Sequence, residues 1–206
     1  MKAGKPAGVI LAGGRSSRMG VTRKALLELN GQLLLTRVIN RLQKHLDPLM
    51  LSCESATDEF DAFNLPIVPD LLPDHRGPLT GLCSALQHLV DTGHNEGLVL
   101  CPCDAPFIPK NLVQVLVDAS QREQRPAVVV SYKGVIQPTF SMWQSHHLPV
   151  IYEAVVKKGM GGLKHMLTSI PHEVVEWAVS EPPPFFNVNT PQELESAATW
   201  LDRMHT

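Results

Sequence analysis

The sequence predicts an α/β fold with a largely parallel sheet covered on both faces by helices. Short β-type runs alternate with segments of helical period along most of the chain. Gly97-Leu98-Val99-Leu100-Cys101 is apolar without alternation, as in a strand buried on both faces. The first β-type run, Val9–Leu11, stops at Ala12-Gly13-Gly14, a strand-to-loop signal. Sheets of this kind bind ligands at the carboxyl ends of their strands, which directs attention to the loops after Leu11, Val68 and Leu100.

The remaining elements follow in order. Leu34, Leu35, Val38, Ile39, Leu42 and Leu46 repeat at helical spacing and predict a helix over 33–46. Leu49-Met50-Leu51 and Pro66-Ile67-Val68 read as strands, and Leu82, Ala85, Leu86 and Leu89 mark a helix over 79–90. A helix over 109–120 is expected to open at Pro109, with Leu112, Val115 and Leu116 as its stripe. Ala127–Val130 and Gln137–Phe140 read as strands, and 148–157 as a helix. A Gly-rich turn at 159–162 and a strand over 174–177 come next. The last helix opens with Thr190 as N-cap, Pro191 at N1 and Glu193 at N3.

The 206 residues suit one core, so a single domain over 1–206 is expected. A formal charge of −2 lacks the basic footprint that nucleic acid binding requires. No apolar stretch reaches the roughly 20 residues of a membrane span, and the polar start does not read as a signal peptide. Four cysteines, at 53, 83, 101 and 103, are too few for a disulfide scaffold, so a cytoplasmic protein is expected.

Three loops carry residues suited to chemistry. In the first, Gly13 and Gly14 permit close backbone approach to a ligand, while Arg15, Arg18 and Lys24 offer charge for a triphosphate. The loop lacks both the Gly-Lys-Ser/Thr of a Walker loop and the GxGxxG of a dinucleotide site, which excludes an NAD(P)-dependent oxidoreductase. In the second, Asp70 stands at a strand end before Gly77-Pro78-Leu79-Thr80-Gly81, where its carboxylate reads equally well as a ribose or base acceptor and as a turn cap. The third, Cys101-Pro102-Cys103-Asp104-Ala105-Pro106, puts an acid past a buried strand, where it suits Mg²⁺, a cation that takes one or two carboxylates plus phosphate oxygens. Cys101 and Cys103 lack partners at zinc spacing and read as small buried hydrophobes. His45, His88, His94, His146, His147 and His172 read as surface or helix-flank residues.

In combination, Leu11-Ala12-Gly13-Gly14-Arg15-Ser16-Ser17-Arg18-Met19-Gly20 with Lys24, the Pro69-Asp70 and Gly77–Gly81 stretch, the Asp104 loop, and Phe186-Asn187-Val188-Asn189-Thr190-Pro191-Gln192-Glu193-Leu194 resemble the molybdenum cofactor guanylyltransferase family of the nucleotidyltransferase superfamily. The motifs span nearly the whole chain. The resemblance implies a three-layer α/β/α Rossmann-like nucleotidyltransferase fold with a mostly parallel central sheet. It implies a nucleotide-binding half over about 1–125 and an acceptor-binding half over about 126–206. GTP and molybdopterin would be the substrates and Mg²⁺ the cofactor, with transient contact to molybdoenzymes or cofactor-delivery proteins. Leu11, Ala12 and Gly13 would meet the guanosine, with Gly14, Arg18 and Lys24 toward the phosphates. Ser52 and Asp70 would lie near the nucleoside, and Asp104 would hold the metal. Gly81, Lys164, Asn187 and Asn189 would serve the acceptor, and Arg18, Lys24 and Asp104 the chemistry.

Three positions depart from the family pattern. Arg23 stands where an acid is usual, Ser52 where asparagine is frequent, and the Gly-rich turn lacks the arginine expected within it, leaving Lys164 just after it to replace that charge. A related transferase using CTP or another phosphorylated acceptor, and a catalytically silent molybdopterin-binding homologue, remain as alternatives.

Overall fold

The computed structural model describes residues 4–13, 23–54, 58–72, 77–94 and 97–205. Gly14, Arg15 and Arg18 of the first loop, and Asp74, His75 and Arg76 of the second, lie outside the described residues.

In the N-terminal half the strands are β1 (Ala7–Leu11), β2 (Glu28–Leu29), β3 (Gln32–Leu33), β4 (Leu49–Cys53), β5 (Ile67–Pro69) and β6 (Leu98–Pro102). Their helices are α1 (Leu34–Leu42), α2 (Pro78–Asp91) and α3 (Leu112–Glu123). The C-terminal half adds β7 (Ala127–Tyr132), β8 (Val135–Trp143), α4 (Leu148–Tyr152), α5 (Leu163–Thr168), β9 (His172–Trp177) and α6 (Pro191–His205). Seven strands form one sheet in the order β5-β4-β1-β6-β8-β7-β9, and β2 and β3 form a separate hairpin. The pairings β1–β4, β1–β6, β4–β5 and β7–β9 are parallel. Only β8 runs against its neighbours, so the sheet is mostly parallel, as expected.

Each face of the sheet carries its own core. Leu35, Val38 and Leu42 of α1 share one apolar cluster with Leu112 and Leu116 of α3. On the other face Leu82, Leu86 and Leu89 of α2 pack with Leu148 and Ile151 of α4 and Leu163 and Met166 of α5. Full burial of such side chains stabilises by roughly 1.5–3 kcal/mol apiece. In a third cluster Ala197 and Leu201 of α6 meet Leu29, Leu34, Phe107 and Val188.

Four sequence expectations need correction. Helix α1 ends at Leu42, four residues short of Leu46. Leu46 is buried all the same, so the apolar period reported burial beyond the helix. Helix α3 begins at Leu112, because Pro109 sits in a preceding turn whose carbonyl accepts the Leu112 N–H at 3.1 Å. The expected helix over 148–157 stays α-helical only to Tyr152 and widens to a π-helical turn over Glu153–Lys157. Residues 163–168, for which no helix is expected from the sequence, form α5.

Candidate functional site

The crossover pattern fixes the site. From β1 the chain moves outward to β4 and β5, then returns to the other side of β1 at β6. The carboxyl end of β1 is therefore a topological switch point, where open α/β sheets bind ligands. Register brings the expected residues level: Leu11 lies opposite Ser52 of β4 on one flank and Pro102 of β6 on the other. Ser52 in turn lies opposite Val68, two residues before Asp70. The loops after Leu11, Ser52, Val68 and Pro102 thus open on the same end of the sheet.

Two small clefts flank β1. The first, about 240 Å³, is lined by Leu11, Gly13, Ser52, Asp70, Gly77 and Gly81, together with Cys53 and Pro78. Ser52 is buried, and its hydroxyl donates to Asp70 Oδ1 at 3.4 Å. Its carbonyl accepts the N–H groups of Ala12 and Gly13 at 2.8 and 3.1 Å. These two amides therefore tie the loop to β4 and are not free to donate to a ligand.

Helix α2 closes the same cleft and starts at Pro78, one residue before the expected 79, where a proline's missing N–H costs no helical hydrogen bond. A side chain at Gly81 would meet Ser52 Oγ at 2.6 Å and Leu11 Cδ2 at 2.8 Å, so glycine lets the helix approach both strand ends. At the cap, Gly77 has φ +106° and presses on the Gly159–Gly162 turn, where an added Cβ would lie 2.7 Å from the Gly161 carbonyl oxygen. That oxygen accepts the Leu79 N–H at 3.1 Å.

The second cleft, about 160 Å³, is lined by Leu11, Ala12, Gly13, Lys24, Pro102, Cys103 and Asp104. Lys24, at the start of a short 3₁₀ turn, extends its ammonium to 3.3 Å from Asp104 Oδ2 and also donates to Asn189 Oδ1. Asp104 is 9% exposed. Burial raises its pKa above the ordinary carboxylate value, against the opposing pull of the Lys24 charge and hydrogen bond. The Asp104 carbonyl accepts the Val188 N–H at 2.9 Å, which brings the 187–189 segment to the cleft. Thr190 Oγ1 accepts the Glu193 N–H at 3.2 Å, and the Glu193 carboxylate accepts the Asn189 N–H at 2.7 Å, so the expected capping group also anchors Asn189.

The structure therefore joins Leu11, Ala12, Gly13, Lys24, Asp104 and Asn189 at one cleft, and Ser52, Asp70 and Gly81 at its neighbour. Gly81 lies with the residues expected around the nucleoside rather than with Asn187 and Asn189. The Asn187 carbonyl accepts from Asn189 Nδ2 at 3.3 Å, while its own Oδ1 is buried with no hydrogen-bond partner among the described residues. Lys164 is exposed on α5 and is not among the described lining of either cleft. Arg23 is drawn away from the clefts: it donates to Glu59 and lies 5.3 Å above the Phe60 ring. Sequence reasoning missed Cys53 and Pro102 as lining residues; each adjoins a residue already singled out. The direct Lys24–Asn189 contact, spanning 165 positions, left no local signal.

Cys101 and Cys103 are buried and burial raises both thiol pKa values, so they are uncharged packing groups at neutral pH. Among the described residues no three or more His, Cys, Asp or Glu side chains gather to hold a metal. Asp104 suits an ion that brings most of its ligands as phosphate oxygens and water. No helix among the described residues is long and apolar enough to cross a membrane.

Comparison with known proteins identifies the family. A family model described as the MobA-like NTP transferase domain matches residues 8–174. The molybdenum cofactor guanylyltransferase of Rhizobium meliloti (strain 1021) is 36% identical over 202 residues, covering 95% of this chain and 92% of the relative. The protein of the same name from Rhizobium rhizogenes (strain K84) is 35% identical over 199 residues, with 93% and 90% covered. The crystal structure of molybdopterin-guanine dinucleotide biosynthesis protein A from Archaeoglobus fulgidus superposes with a TM-score of 0.78 at 20% identity, covering 96% of this chain and 100% of that one, a likeness of fold. With a matching family model over most of its length, and relatives above 30% identity over nearly all of it, the chain belongs to the MobA-like NTP transferase family, beside the molybdenum cofactor guanylyltransferases.

Proposed function

We propose that the chain transfers GMP from GTP to the phosphate of molybdopterin, releasing pyrophosphate. The observation that carries the reading is the Lys24–Asp104 pair at the switch-point cleft, beside a second cleft suited to a nucleoside. The relatives named above supply the choice of GTP and molybdopterin.

In this reading the base and ribose occupy the cleft of Ser52, Asp70 and Gly81, and the triphosphate lies over Gly13 toward Lys24. Asp104 would hold Mg²⁺, which when bound neutralises triphosphate charge and lowers the barrier to attack by an anionic acceptor. Lys24 turns its ammonium from Asp104 and Asn189 to the phosphates, and Arg18 and Gly14 belong to the same phosphate loop. Asn187 and Asn189 would serve the acceptor from the C-terminal half, with Lys164 contributing charge from its exposed place on α5, outside the two clefts. The acceptor phosphate is already ionised at neutral pH, so attack on the α-phosphorus needs no general base. Catalysis is then charge neutralisation and alignment by fixed groups. The whole chain, 1–206, would act as one domain in the cytoplasm.

Ser52 favours a second reading, in which the nucleotide is CTP, because a short hydroxyl replaces the amide frequent at that position in the family. The test is thermal unfolding with each nucleoside triphosphate and Mg²⁺, since a ligand that binds only the native state raises stability by mass action. GTP is expected to give the largest shift. An equal or larger shift with CTP would overturn the guanylyl assignment.

A further inference from the structure

Away from the clefts, α1, α6 and the 106–111 loop enclose a trough that the transfer reaction does not use. One cavity in it, about 440 Å³, is lined by Arg37, Arg41, Lys44 and Lys110, and its described lining contains no Asp or Glu. The chain as a whole carries −2, so this concentration of positive charge is local. None of the four cations takes part in an ion pair among the described residues. Arg37 is held in place by a hydrogen bond from Nη2 to the Leu29 carbonyl at 2.6 Å, so its charge is pre-positioned.

The trough continues. A second cavity of about 500 Å³ shares Arg41, Phe107, Lys110 and Met204 with the first. Its far wall is apolar and aromatic, with Val175, Trp177, Pro182 and Pro184. Glu176 and Glu181 also belong to that wall, so negative charge is disfavoured there and favoured at the cationic end. Glu176 accepts from Ser131 and from the Gly134 N–H at 3.3 Å, committed to the β7–β8 turn. Met204, 59% exposed, stands at the junction. A free phosphate or triphosphate would satisfy the cations and leave the aromatic half unused. Aromatic, Met and Arg side chains together mark the centre of protein interfaces.

We propose that this trough is a docking surface for a partner protein's extended segment, acidic at one end and apolar at the other. The 103–111 loop carries Asp104 near one end, Phe107 at its middle and Lys110 near the other end, so a docked partner would sit on the loop that bears the acid. The proposal is independent of the transfer chemistry, because binding is read without nucleotide.

The test is fluorescence anisotropy of the intact chain with a fluorescein-labelled decapeptide, five glutamates followed by Pro-Leu-Trp-Leu-Pro. Saturable binding is expected, weakened about tenfold or more by Arg41→Glu with Lys44→Glu, several-fold by Met204→Glu, and by 0.5 M NaCl. Lys110→Glu serves as a second charge reversal if the double variant fails to fold. The matching peptide with lysines for glutamates is expected not to bind. Equal binding of the lysine peptide, no binding by wild type, or insensitivity to both charge reversals would overturn the proposal. So would inorganic triphosphate binding with the same variant sensitivity in the absence of peptide binding, which would make the trough a small-anion site.

Discussion

Replacing Gly77 by alanine tests the link between α2 and the Gly159–Gly162 turn. Gly77 has φ +106° and ψ −175°, a region that side-chain-bearing residues avoid at a cost of about 1–3 kcal/mol. The added Cβ would also lie 2.7 Å from the Gly161 carbonyl oxygen, a backbone atom. That oxygen cannot swing aside without loosening its hydrogen bond from the Leu79 N–H at 3.1 Å, worth about 1 kcal/mol. Together these give about 2–4 kcal/mol of destabilisation, or roughly 5–15 °C in Tm for a chain of this size. Gly134→Ala is the control, because Gly134 has φ +73° with nothing within 4 Å of its added Cβ, leaving backbone strain alone. Urea unfolding of both variants compares them, with Gly134→Ala setting a lower bound on the backbone strain at Gly77. A Gly77→Ala stability within about 0.5 kcal/mol of wild type, or no greater loss than Gly134→Ala, would refute the packing argument.

Other outcomes follow from the same geometry. Gly81→Ala pushes Ser52 Oγ and Leu11 into the 240 Å³ cleft, so isothermal titration is expected to show weakened nucleotide affinity, whereas unchanged affinity would place the nucleoside elsewhere. Lys24→Ala is expected to weaken triphosphate binding, seen in the same titration, with the fold retained; an unfolded variant by circular dichroism would make Lys24 structural. For pH the sign follows from Asp104: its pKa is raised in the fold, so the native state holds this proton to higher pH than the unfolded chain. Stability of the ligand-free chain therefore falls as pH rises from the ordinary carboxylate value, near 3.9, through the raised one. Asp104→Asn is expected to raise the ligand-free Tm at neutral pH and to flatten that part of the profile; a lowered Tm would contradict the desolvation argument.

The sequence showed the switch-point loops clearly, because several of the proposed site residues lie next to a signal that is local. Leu11–Gly13 closes an apolar run, Asp104 follows a strand without alternation, and Thr190 with Glu193 marks a helix start. Long-range and edge features were harder to read. The two strands at 127–130 and 137–140 join as an antiparallel hairpin through Lys133 and Gly134, both at positive φ, and lysine is a weak signal for such a turn. Six residues of α5 offer too little period to detect among neighbouring glycines. The engagement of the Ala12 and Gly13 amides by Ser52, and the meeting of Lys24 with Asn189, depend on strand order, which no local pattern encodes.

The central claim is that Asp104 and Lys24 serve nucleotidyl transfer from GTP. It is tested most directly by pyrophosphate release from GTP with molybdopterin at saturating Mg²⁺, comparing wild type with Asp104→Asn. The variant keeps the size of the side chain and its capacity to hydrogen-bond but loses the charge that would hold the metal. Wild type is expected to release pyrophosphate only when molybdopterin is present, and the folded variant to be slower by a hundredfold or more, about 2.7 kcal/mol in barrier. A wild-type chain that binds both ligands yet releases no pyrophosphate, or a variant as fast as wild type, would contradict the account.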